Sequence, residues 1–172
     1  MSANAQDLAL HAASVPVLQR YLGQLQQMLQ LGRREGGLAL LESRLAPDML
    51  PLRVQAVIAG NFALRASFLL TGQAVPDLGP DPRDWAGLIL RLDQVERALA
   101  SLSPAQFAGA HARWIHDQAG QAALRLEAGE FLHHYAMPNF FFHVCSAYAI
   151  LRNQGLSLGK AHFDGYHRYQ PG

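Results

Sequence analysis

Asn139 and His143 stand four residues apart in the stretch 130–152, which reads EFLHHYAMPNFFFHVCSAYAILR. On a helix that spacing puts both on one face, with Ala147 and Ile150 continuing it. An imidazole on such a stripe faces a bundle interior, where a buried polar group must find a hydrogen-bond partner or a metal. A second polar intruder, Gln55, interrupts an otherwise apolar stripe of Leu52, Ile58, Ala59, Phe62, Ala66 and Leu69. If the two faces meet, Gln55, Asn139 and His143 converge. The alternative is a core histidine satisfied by its neighbours. Zinc and iron take several imidazole, thiolate or carboxylate ligands, and two amides with one imidazole are a poor set. No cofactor and no metal ligand is therefore expected here, with a divalent metal kept as the alternative.

Other reactive types are placed less tellingly. Tyr148 and Arg152 are also four apart, which suits a brace at a helix end, where a basic side chain meets the last carbonyls. His133 and His134 point about 100° apart on a helix and read as rim or surface residues. Cys145 lies two residues from His143, on another side, so a Cys–His nucleophile pair is not expected and core packing accounts for the thiol. His111, His116, His162 and His167 show no ligand spacing. P-loop, GxGxxG, HExxH and nucleophile-elbow motifs are absent.

The elements that must position these residues are helical. The chain holds 28 Leu and 27 Ala among 172 residues, and both types lose little on entering a helix. Three- and four-residue apolar steps predict a first helix from about Asp7 to Gly32, with Pro16 near its start or at a kink. Leu38 to Leu45 gives one or two helical turns. Asp48 reads as the cap of a second helix that tolerates Pro51 in its first turn and stops at Gly72 after Thr71, while Arg44 could pair with Asp48. After a crossover from Gln73 to Asp81, the pair Asp81-Pro82 opens a third helix to about Ser101. Strands flanking Gln118-Ala119-Gly120 suggest a hairpin. A last helix runs from about Gly129 to Asn153 and ends at Gly155, with Pro138 robbing the His134 carbonyl of its partner and forcing a kink or restart.

Half of the residues are apolar and 16% are charged, which excludes a disordered chain. Fourteen Lys and Arg against thirteen Asp and Glu leave a formal net charge of +1, so neither nucleic acid nor an anionic membrane is an expected partner. One cysteine and an opening segment without a basic stretch before an apolar run make a reducing cytoplasm the expected compartment. Charged or polar residues break every apolar run before the eighteen or so that a membrane span needs.

Two segments carry a family resemblance: Arg44-Leu45-Ala46-Pro47-Asp48-Met49-Leu50-Pro51-Leu52, and Pro138-Asn139-Phe140-Phe141-Phe142-His143 continuing through Ala147-Tyr148-Ala149-Ile150-Leu151-Arg152 to Gly155. With Leu158-Gly159-Lys160 and Phe163 they resemble the bacterial domain-of-unknown-function family nineteen ninety-three over nearly the whole chain. That family is grouped with the DinB/YfiT-like metalloenzyme superfamily. The resemblance implies a four-helix bundle with a long crossover. In better-known members it implies a three-histidine metal site, one histidine from the second helix and an HxxxH pair from the fourth, ahead of an LRxxG-like ending. Matching that ending to Leu151-Arg152-Asn153-Gln154-Gly155 puts His143 at the last histidine, Asn139 at its partner and Gln55 near the second-helix position. One ligand of three then remains.

The expected molecule is mainly α, a DinB/YfiT-like four-helix bundle with a small β-hairpin before the last long helix, spanning 1–165 with a tail at 166–172. Its expected site is a degenerate one-histidine position with a small-ligand pocket formed by His143, Asn139, Gln55 and Tyr148. One alternative is a non-catalytic homodimeric module that associates through Phe140 to Phe142. Another is a metal-dependent thiol transferase or hydrolase resembling the active relatives.

Overall fold

The computed structural model describes residues 2–167. Helix α1 (Ala3–Glu35) starts earlier than its apolar period suggests, because the Ser2 hydroxyl accepts the Ala5 N–H and caps it. Pro16 lies inside this helix rather than at its start. A 3₁₀ turn, Leu38–Glu42, follows and buries Leu40 and Leu41.

Helix α2 (Leu52–Thr71) begins at Pro51 without a side-chain cap, and Asp48 is exposed, which corrects the expected cap. Backbone bonds set the start instead: Leu52 N–H reaches the Ser43 carbonyl at 2.9 Å, and Val54 and Gln55 N–H reach that of Pro51. Arg44 holds the Met49 carbonyl, leaving no pair with Asp48. At the other end Gly72 takes φ +74°, and the Gln73 N–H closes onto the Phe68 carbonyl. That left-handed closure is the expected stop.

Helix α3 (Trp85–Ala100) is capped by Asp84, whose Oδ1 accepts the Gly87 N–H at 2.7 Å; Asp81 sits too far upstream to do so. Beneath the crossover that leads into it, Arg91 is buried and donates Nη1 to the carbonyls of Leu78, Gly79 and Pro80 and Nη2 to Asn61 Oδ1. One cation thus satisfies the irregular backbone of the loop.

Strands β1 (Trp114–Ala119) and β2 (Ala122–Glu127) pair antiparallel in the register Trp114↔Glu127 to Ala119↔Ala122. Gly120, at φ +58°, supplies the positive dihedral of the two-residue turn. Arg65 of α2 ties the hairpin to the bundle by a forked pair with Asp117 and a bond to the Gln118 carbonyl.

The last long helix comes in three pieces. Helix α4 (Ala128–Glu130) runs into a π-helical segment, Phe131–Ala136, and then into α5 (Met137–Asn153). Pro138 falls in the first turn of α5, directly after the wider coil, so the α-helix restarts there, one of the two expected outcomes. The Met137 N–H reaches back five residues to the Leu132 carbonyl, and the missing N–H falls where the helix has already widened. Gly155, at φ +91°, lies at the end of α5 as expected. A short α6 (Lys160–Asp164) returns to α1, and Arg20 stacks on Tyr166 at 4.1 Å; residues 168–172 of the expected tail lie outside the described residues.

Helices α1, α2, α3 and α5 form the four-helix bundle, with α2 packed most extensively on α5 and next on α3. Gly60 lets α2 approach α3: a Cβ there would stand 3.2 Å from Val95. Among the described residues α2 is long and apolar enough to cross a membrane by length and composition, and most of that stretch is buried inside the bundle. Its apolarity makes the core.

Candidate functional site

His143 projects from α5 toward α2, and its Nδ1 lies 2.7 Å from Gln55 Oε1. The Gln55 amide is itself oriented, since its Nε2 donates to the Leu50 carbonyl at 3.1 Å. With Nε2 committed as a donor, Oε1 can only accept, so His143 Nδ1 carries the proton. The neutral ring then presents a lone pair at Nε2, which takes no hydrogen bond among the described residues. Burial pushes the His143 pKa down, favouring this uncharged form. The ring of Phe62 lies nearly parallel to the imidazole, with centroids 5.9 Å apart and planes 19° apart.

The residue is 9% exposed, and Gln55 only 2%. Around them the surface is apolar: Phe142 is 57% exposed, its ring 5.2 Å from that of His143, and Leu50, whose carbonyl anchors Gln55, is 43% exposed. Phe62 also carries the Arg65 guanidinium 4.7 Å from its centroid and touches Tyr135. The Arg65–Asp117 pair therefore braces the aromatic wall behind the imidazole.

Gln55 and His143 are thus brought together. Asn139 keeps its place one turn before His143, but its Nδ2 donates 2.8 Å to the Tyr135 carbonyl, in the widened part of the helix. Tyr148 is not part of the cluster. Five residues beyond His143 it lies well round the helix, facing Phe163 across a small apolar hollow shared with Cys145 and Lys160. Arg152 braces the Leu156 carbonyl instead of the phenol. Cys145 is exposed rather than packed in the core, and partial burial of its thiol pushes the pKa up, away from a reactive thiolate. Of the aromatic run, Phe140 is fully buried, Phe141 packs edge-on against Tyr21, and Phe142 alone is exposed.

A three-ligand metal centre does not fit these residues. The amide oxygen at the second-helix position is turned to an imidazole N–H, and the amide nitrogen of Asn139 to a carbonyl. Among the described residues no three His, Cys, Asp or Glu side chains are grouped to hold an ion.

Sequence spacing missed one pair altogether. Asp7, buried in the first turns of α1, accepts the backbone N–H of Gly109 at 2.8 Å and of His111 at 2.9 Å, and the His111 Nδ1 at 2.8 Å. The His111 backbone N–H foremost, with its ring and Gly109, holds the Asp7 carboxyl below the usual carboxylate range against the cost of burial. The available signal was a lone acid one turn before Leu10 on the helix face that continues through Ser14 and Leu18.

Comparison with known proteins follows the same lines. No curated protein matches the sequence. A DinB family member protein from Shewanella denitrificans, known from its crystal structure, superposes with a TM-score of 0.84 at 28% identity, covering 98% of this chain and 99% of that one. The model of a domain of unknown function, DUF1993, matches residues 10–164. The bundle, its hairpin and this match over most of its length make the chain a member of the DUF1993 family.

Proposed function

We propose that this protein binds a small molecule over His143 without a metal, the imidazole Nε2 accepting a hydrogen bond from a hydroxyl or thiol on the ligand. The observation that carries the reading is the relay Leu50 carbonyl, Gln55 amide, His143 imidazole. Such a chain fixes one tautomer, and a fixed acceptor is what orients a ligand in a mostly apolar site. Phe142 and Leu50 supply the apolar flank. The reading has no nucleic-acid partner, in keeping with the near-balanced charge, and a cytoplasmic setting, in keeping with the lone free Cys145.

Nitrogen-15 NMR of the histidine rings tests it, with benzyl alcohol and benzyl mercaptan as probes. The expected result is a His143 ring protonated at Nδ1 at neutral pH, whose Nε2 resonance moves with either probe and stops moving in a folded Gln55→Leu variant. A ring protonated at Nε2 would overturn the reading. So would about one equivalent of metal by elemental mass spectrometry, lost in His143→Ala.

A second reading, self-association over the same face, is favoured by the exposure of Phe142 and Leu50. It expects sedimentation as a dimer at micromolar concentration and as a monomer in Phe142→Ser.

A further inference from the structure

A cleft of about 380 Å³ lies between the start of α1, the base of the hairpin and the π-helical segment, away from His143. That volume is near the lower end of the range for small-molecule sites. One wall is apolar, made by Ala9, Leu10 and Ala13 of α1. The polar groups are Gln6, His111, Glu127 and His133, and no lysine or arginine is among the described residues that line it.

Two features give this cleft a direction. His111 is oriented by a buried carboxylate: Asp7 takes its Nδ1–H, so in the neutral ring Nε2 is left as the acceptor. Glu127, exposed at the rim, has no ion-pair partner among the described residues. Glu127 thus brings one negative charge to a hollow with an apolar wall, beside the nitrogen acceptor that Asp7, buried behind the ring, orients on His111. The π-helical widening contributes as well. It sets His133, on the segment Phe131–Ala136, out of register with the regular helix that carries His143, and His133 lines this cleft instead.

We propose that the cleft binds a small organic cation, a protonated alkyl- or arylamine, with its ammonium group held by Glu127 and His111 Nε2 and its hydrocarbon body against α1. Asp7 is a positioning residue here, acting through His111. The assignment does not depend on the His143 reading, since the two sites share no side chain.

The test is a titration of histidine-labelled protein with n-hexylammonium, followed by NMR of the rings, with hexanoate and hexan-1-ol as controls. Saturating shifts at His111 and His133 with hexylammonium alone, and none at His143, are the expected result. Glu127→Gln, a change at an exposed residue, should weaken binding about tenfold, the loss of one charge-assisted hydrogen bond. Equal binding of hexan-1-ol would overturn the proposal by making the cleft merely apolar. Preference for hexanoate, or no saturation at all, would also overturn it. So would a tight zinc complex on the same two rings, which would make it a metal centre.

Discussion

Two histidines in this molecule are held by the same atom in opposite settings. His143 gives Nδ1 to a neutral amide inside the bundle, and His111 gives Nδ1 to a buried carboxylate at its edge. The amide fixes a tautomer and adds no charge. The carboxylate fixes a direction and lies behind a ring whose other face lines a cleft with the acid Glu127. One ring is therefore suited to a neutral ligand with a single donor, the other to a cation. The chemistry of each position comes from the oxygen behind the ring more than from the ring.

The sharpest way to break the comparison is to remove those oxygens. Asp7→Ala strands the Gly109 and His111 backbone donors and the His111 ring, and should cost about 3 kcal/mol or more in urea denaturation. A loss under about 1 kcal/mol would show that water replaces the carboxylate freely. Gln55→Leu should cost less, about 2 kcal/mol, because it strands one carbonyl and one ring N–H. Its ring nitrogens should then report mixed tautomers.

Acid separates the two sites by pH. Burial lowers the His143 pKa, so the unfolded chain binds a proton that the folded chain refuses, and stability should fall as pH drops below about 6.5. His143→Phe should lack that slope. Asp7 and Asp164 act in the same direction at lower pH: their lowered carboxyls contribute stability that is present above about pH 4 and lost as pH falls through their folded values. Chemical denaturation between about pH 3 and pH 8 should show both regions, and a single acid limb in the parent protein would remove His143 from the account. The smallest effect is expected at the surface, where Phe142→Ser should change stability by no more than about 0.5 kcal/mol.

Much of the fold was legible because it rests on repeated local signals. Apolar residues at three- and four-residue steps marked the first two helices, a proline start signal marked the third, and Gly72, Gly120 and Gly155 marked positions that need positive φ. Capping was less legible: Asp48, Asp81 and Asp84 are equally good caps by type, and only the path of the chain decides that Asp84 meets a free N–H. Gln55 and His143 could be joined from sequence because Gln55 is the one polar residue on an apolar stripe and His143 shares a face with Asn139, Ala147 and Ile150. Tyr148, five residues beyond His143, lies about 140° round the helix and faces Phe163, so helical angle alone separates it from the imidazole. The pairing of Asp7 with His111 spans 104 residues and involves no repeat or motif. Nothing local announces such a contact, since it is produced by the closure of the bundle itself.

The wide turn at Phe131–Ala136 amounts to a phase shift along one continuous rod. Everything on its hairpin side is rotated and advanced relative to everything on its bundle side, as if one extra residue had been spliced in. Deleting a single residue there would return the rod to regular pitch and swing His133 about 100° around the axis with a 1.5 Å slide. The length of this short stretch is thus a tuning element that sets how the two histidine neighbourhoods are aligned along a shared helix. A chain that gained or lost one residue at this point would keep its bundle and lose that alignment.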